Sequence, residues 1–152
     1  IRQGIQAAPR LKALLADEGV LKIFHFARFD LAALSHHLGV MPRPVFCTKI
    51  ASKLTRTYTD RHGLKDLCKE LIGVELSKEQ QSSDWGAPAL STDQMGYAAS
   101  DVLHLHKLKA VLEKLLEREG RTGLAEACFR FLPTRAELDL AGWAGEDIFA
   151  HS

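Results

Sequence analysis

Asp30, Tyr97 and Asp101 are the residues whose type and spacing most suggest chemistry. Asp30 follows Phe29 just after the short apolar segment Val20-Leu21-Lys22-Ile23-Phe24-His25. If that segment is a parallel strand, the carboxylate lies at its carboxyl end, where α/β folds place their sites. Tyr97 and Asp101 frame Tyr97-Ala98-Ala99-Ser100-Asp101. Four residues apart on a helix, the phenol and the carboxylate share a face, and small neighbours let another group approach closely. Each feature has a plainer reading. Asp30 complements a helix dipole, and Tyr97 with Asp101 is an aromatic–polar pair on a solvated face. Together they suit hydrolysis of a phosphodiester. That reaction needs an activated water and two stabilised oxygens, which paired Mg²⁺ or Mn²⁺ ions on carboxylates provide. A tyrosine beside such a carboxylate can orient the water.

The elements around these residues follow from apolar spacing and turn chemistry. Pro9 opens a helix with Leu11, Leu14 and Leu15, which Gly19 closes. The apolar segment ending at His25 reads as a buried strand. A helix follows from about Ala27 to Leu38, with Leu31, Leu34 and Leu38 on one side and Gly39 at its end. Pro42 and Pro44 precede a strand at Val45-Phe46-Cys47, and Thr48 is the expected N-cap of the next helix. After the turn at Thr59–Gly63, Leu64, Leu67 and Leu71 face inward from another helix. The longest helix is predicted from Ser91 to about Glu119, with Gln94 completing a capping box and Ala98, Val102, Leu105, Leu112 and Leu116 inside. A turn at Gly120–Gly123 leads to a helix over 124–132. A second capping box, Thr134 to Glu137, then opens a last helix to about Ala141. Alternating helices and strands predict an α/β fold with parallel strands and a helix-rich C-terminal half. The two visible strands make a small sheet.

Composition narrows the class. The 152 residues are 46% hydrophobic and 26% charged, an ordinary globular balance that we read as one domain, residues 1–152. No apolar run approaches the ~20 residues of a membrane helix, so we expect a soluble, cytoplasmic protein with no membrane partner. Cys47, Cys68 and Cys128 are far apart and form no CxxC pair, which predicts reduced, mostly buried thiols. Net charge is +1, too little to mark a binder of long nucleic acids. Basic residues gather locally, at Lys49, Lys53, Arg56, Arg61, Lys65 and Lys69. Lys49, Lys53 and Arg56 at helical spacing predict one positive stripe, facing phosphate, another subunit or solvent. His104 and His106, two apart, diverge on a helix and make no zinc pair.

Three segments resemble one family. Lys22-Ile23-Phe24-His25-Phe26-Ala27-Arg28-Phe29-Asp30-Leu31 is similar to the second motif of the ribonuclease D exonucleases. Tyr97-Ala98-Ala99-Ser100-Asp101-Val102 resembles their third motif in its tyrosine-bearing (DEDDy) form. Leu76-Ser77-Lys78-Glu79-Gln80-Gln81-Ser82-Ser83-Asp84-Trp85 resembles the loop before it, and the order and spacing agree. The resemblance runs from about Ala8 to Ser152 and is strongest to the short nanoRNase C subgroup.

That resemblance implies a ribonuclease H-like fold and metal-dependent 3′–5′ hydrolysis of very short RNA, such as dinucleotides. It implies a two-metal site of Mg²⁺ or Mn²⁺ and a homo-oligomer, ring-shaped in form. Asp101 would hold the metal nearer the nucleophile, Asp30 would support the second, and Tyr97 would position the water. His25, Phe26, Lys78, Gln81 and Trp85 would contact substrate, although Trp85 equally suits anchoring its loop to the core. One departure stands out: the family's first motif, Asp-x-Glu on an opening strand, occurs nowhere in the chain. We expect the sequence to start after that strand, with residues 1–152 inactive in consequence. The alternatives are a non-catalytic nucleic-acid-binding or assembly relative, and a helical interaction protein with coincidental motifs.

Overall fold

The computed structural model describes residues 8–76 and 92–151, with side chains over 9–76 and 103–151. Helix α1, Ala8–Ala16, leads into strand β1, Lys22–Phe24. Helix α2, Ala27–Leu38, crosses to strand β2, Val45–Cys47, which pairs parallel to β1 with Phe24 opposite Cys47. Helices α3 (Thr48–Thr55), α4 (Leu64–Ile72), α5 (Thr92–Arg118) and α6 (Thr122–Leu138) follow. The predicted α/β order holds, with a two-stranded parallel sheet among the described residues.

Each strand is three residues long, so the sheet depends on the helices that cover it. Helix α5 packs on α3, α4 and β1, and α6 packs on α2 and β2. Leu31, Leu67, Leu108, Leu112 and Leu116 are fully buried between them, and the rings of Phe46 and Phe129 meet at 4.7 Å. Burying each such side chain contributes roughly 1.5–3 kcal/mol, the main force holding so small a sheet in place. Gly39 ends α2 at φ 70°, the left-handed conformation that a side chain resists.

Three expectations need correction. Thr48 is not an N-cap: Cys47 holds that position, and Thr48 is the first residue of α3. Its hydroxyl turns instead toward β1, 2.9 Å from His25 Nδ1 and 3.4 Å from the Phe24 carbonyl. The helix break at Pro133 does not occur. A proline there leaves the Phe129 carbonyl without its helical donor, at a cost of ~3 kcal/mol. Burial of Leu132, Pro133 and Ala136 offsets that cost, and α6 continues to Leu138 before a wider turn, Asp139–Trp143. Leu11 and Leu14 are exposed, and only Leu15 of that set is buried.

The third correction concerns the basic stripe. Arg56 does not join it, because its side chain is only 3% exposed and pairs with Glu70 at 2.6 Å. It also donates to Ser52 Oγ and to the Arg61 carbonyl. Cys47 and Cys68 are buried and Cys128 is exposed, so the thiols are buried at two positions of three. No helix is long and apolar enough to cross a membrane among the described residues. The Ser91 capping box lies outside the described residues, as do the side chains of Ala98 and Val102.

Candidate active site at the strand ends

β1 ends at Phe24, and the chain turns into α2 through His25 and Phe26. Phe26 occupies the N-cap position without a side-chain cap, and its carbonyl accepts from the Phe29 and Asp30 N–H groups. That local turn places Asp30, half-buried, in the first turn of α2 at the carboxyl end of the sheet. β2 ends alongside, so Thr48 and Lys49 arrive at the same edge. His25, Phe26 and Asp30 therefore share one end of the sheet.

His25 is pinned rather than free to swing. Its Nδ1 lies 2.9 Å from Thr48 Oγ1. Burial lowers its pKa from 6.5 to about 4, and the charge of Lys49 adds to the fall. The ring is therefore neutral near pH 7 and acts as a shaped, hydrogen-bonding wall. Cys47 is equally inert. Burial pushes its thiol pKa up, and the nearby charge of Asp30 adds to the rise against backbone N–H groups that pull it down. Its Sγ donates to the His25 carbonyl at 3.4 Å.

These states define the donors available. Cys47 is held as a thiol and His25 Nδ1 is engaged, while Asp30 offers carboxylate oxygens. Hard oxygen donors fit Mg²⁺ or Mn²⁺ rather than a soft-ligand metal such as zinc. The surroundings are aromatic and cationic. Phe26 and Phe29 are 46% and 63% exposed, and their rings lie parallel within 5° at 6.0 Å. Lys49 Nζ sits 4.4 Å above the Phe26 ring. The sequence paired Phe29 with Asp30 and placed Lys49 in the basic stripe; the structure sets both beside Phe26. Phe29 is three residues after Phe26, and Lys49 is two after the residue paired with Phe24, so strand register would have found it.

Tyr97 and Asp101 lie in α5, the helix that packs against β1. Their side chains fall outside the described residues, as do Lys78, Gln81 and Trp85 altogether. Among the described residues, a groove of about 820 Å³ lies elsewhere. Val45, Phe46, Leu116, Phe129 and Pro133 line part of it, so it offers apolar surface and none of the predicted site residues.

Residues 1–117 match the family model described as 3′-5′ exonuclease. The chain belongs to the 3′–5′ exonuclease family. Ribonuclease D of Gluconacetobacter diazotrophicus is 41% identical over 118 residues, 78% of this chain and 30% of that protein. The structure of Brucella melitensis NrnC superposes with a TM-score of 0.88 at 71% identity, covering 95% of this chain and 70% of that one. Further structures of that NrnC hold Mg²⁺ and, separately, pGG. Escherichia coli RNase D, an exoribonuclease, superposes with a TM-score of 0.73 at 29% identity, covering 85% of this chain and 34% of that one. The chain thus spans about 30% of the length of the ribonuclease D relatives. The ribonuclease H-like exonuclease fold expected from the motifs is shared with these structures. Neither the fold nor the relatives support the expectation that residues 1–152 are inactive for want of an Asp-x-Glu.

Proposed function

We propose that this chain is one exonuclease domain that hydrolyses very short RNA, down to dinucleotides, from the 3′ end with Mg²⁺ or Mn²⁺. The observation that carries the reading is Asp30 at the carboxyl end of β1, beside exposed aromatic rings and a cation, in a chain 69–71% identical to NrnC. The NrnC structures with Mg²⁺ and with pGG support the cofactor and the substrate class.

Asp30 and Asp101 would hold the metal ions, which when bound supply Lewis acidity and an activated water. Tyr97 orients that water. His25, neutral and pinned by Thr48, gives the cleft a wall that neither repels the cation nor competes as a base. Phe26 offers a face on which a base can stack, and Lys78, Gln81 and Trp85 contact the substrate from the loop before the third motif. Self-association belongs to the same reading and is measured by light scattering on the intact protein.

The test is end polarity. A five-nucleotide RNA labelled at its 5′ end should yield a descending ladder with Mn²⁺ and remain intact with EDTA. Immediate release of the 5′-terminal labelled nucleotide, or cleavage unaffected by EDTA, would contradict the proposal.

A further inference from the structure

Arg28 stands in the first turn of α2, two residues before Asp30. A cation there opposes the helix dipole, which favours negative charge at that end. Phe26 gives the turn no side-chain cap, and its carbonyl takes the Phe29 and Asp30 N–H groups at 3.1 and 3.2 Å. Ala27 and Leu31 are fully buried, so packing fixes the inner side of the turn. Arg28 fixes another side, through partners more than a hundred residues away in the chain.

Its guanidinium meets the Asp139 carboxylate at two points, and Nη2 also donates to the Ala144 carbonyl at 2.9 Å. Such a fork fixes direction as well as distance. Arg135 holds the same carboxylate from the other side at 3.4 Å and donates to the Trp143 and Glu146 carbonyls. Asp139 and Arg135 are only 14% and 15% exposed, so the grip is largely sheltered from water and salt. We propose that Arg28 is a positioning residue: gripped by Asp139 and the segment after α6, it sets the first turn of α2 so that Asp30 presents its carboxylate to a metal ion. The wide turn at Asp139–Trp143 thereby serves the metal site without touching it. Arg28 does this against its own charge, since a cation two residues from a metal ligand repels the ion. Position and charge therefore act with opposite signs, which makes them separable. The role rests on the reading that Asp30 is a metal ligand.

The experiment reads Mn²⁺ binding without substrate, from the electron paramagnetic resonance signal of the free ion. Initial rates on a dinucleotide, as a function of Mn²⁺, accompany it, and circular dichroism checks that each variant is folded. Arg28→Met keeps the side-chain length and removes both fork and charge. Charge alone would make it bind Mn²⁺ more tightly. Positioning predicts the reverse, a Kd raised about tenfold, as when a metal ligand loses an outer partner. Arg28→Lys, the milder change, keeps the charge without the two-point grip and should also weaken Mn²⁺. Both should regain turnover as Mn²⁺ is raised, with KM for the dinucleotide unaltered. Arg56→Ala, destabilised through other contacts, should bind Mn²⁺ as the wild type does. Folded Arg28 variants that bind Mn²⁺ as tightly as the wild type, or more tightly, would overturn the positioning role and leave the functional reading standing. Equal weakening in Arg56→Ala would trace the effect to lost stability and overturn the role as well. Arg28-dependent Mn²⁺ binding in a wild type that cleaves no RNA would overturn the functional reading and keep the role. A wild type that binds no Mn²⁺ would overturn both.

Discussion

Arg28 and Asp139, 111 residues apart in the chain, meet in a two-point ion pair, Nε to Oδ2 and Nη2 to Oδ1, each at 2.7 Å. Arg28 also donates to the Ala144 carbonyl, and Arg135 approaches Asp139 at 3.4 Å while donating to the Trp143 and Glu146 carbonyls. The pair therefore fastens the segment after α6 onto the first turn of α2. Asp30 is two residues beyond Arg28, and residues two apart on a helix point in different directions. The clamp grips one side of the turn whose other side carries the candidate metal ligand.

Asp139→Asn should destabilise the protein by about 1–3 kcal/mol at pH 7, the range for a charged hydrogen bond, lowered by the 37% exposure of Arg28. Arg28 holds the Asp139 carboxyl below its ordinary pKa. That stabilisation is present above the usual carboxylate range and is lost as pH falls through the depressed value. Urea denaturation at pH 7 and near pH 3 should show the two proteins converging in acid. Equal stability at pH 7 would remove the clamp from the account.

His25 gives a stability change in a different window. Its pKa is 6.5 when unfolded and about 4 in the fold, so below pH 6.5 protons favour the unfolded chain. The wild type should lose roughly 2–3 kcal/mol between pH 6.5 and 4, at about 1.4 kcal/mol per unit. His25→Gln should flatten that loss in denaturation curves taken above pH 4.5. A wild type with constant stability over this range would contradict a buried, neutral His25.

Arg56 and Lys53 separate structure from surface charge. Arg56→Ala removes a buried guanidinium with partners in Ser52, Arg61 and Glu70, and should cost about 2–4 kcal/mol of stability. Its RNA affinity, corrected for folded fraction, should match wild type. Lys53, exposed on α3, remains available to phosphate. Lys53→Glu should weaken RNA binding and flatten its salt dependence without unfolding the protein. Unaltered affinity at low salt would return Lys53 to a solvated face.

Local chemistry made much of this fold legible in the sequence. The bounds of α2 and β2 were set by Gly39, Pro42 and Pro44, whose backbone constraints act within a few residues. Thr48, Arg56 and Pro133 were misread because distant partners decide them. The Thr48 hydroxyl answers to His25, 23 residues earlier, and Arg56 to a carboxylate 14 residues later. Pro133 stays helical because of what it is buried against. The place of Asp30 just after β1 was legible, since a carboxylate after a strand is a local pattern. Lys49 was legible only as part of a basic stripe, because the pairing of β1 with β2 is what brings it to the same edge.

The central claim is that Asp30 and Asp101 carry metal-dependent hydrolysis. Initial rates on a 5′-phosphorylated dinucleotide with Mn²⁺ test it most directly, comparing wild type with Asp30→Asn and Asp101→Asn. Far-ultraviolet circular dichroism confirms that each variant is folded. Removing one electrostatic stabiliser of a transition state costs ~10²–10³ in rate, and loss of a metal ligand should cost at least that. Both variants should therefore fall at least a hundredfold while remaining folded, and Tyr97→Phe should keep its affinity but turn over more slowly. Either aspartate variant hydrolysing the dinucleotide at near the wild-type rate would contradict the assignment.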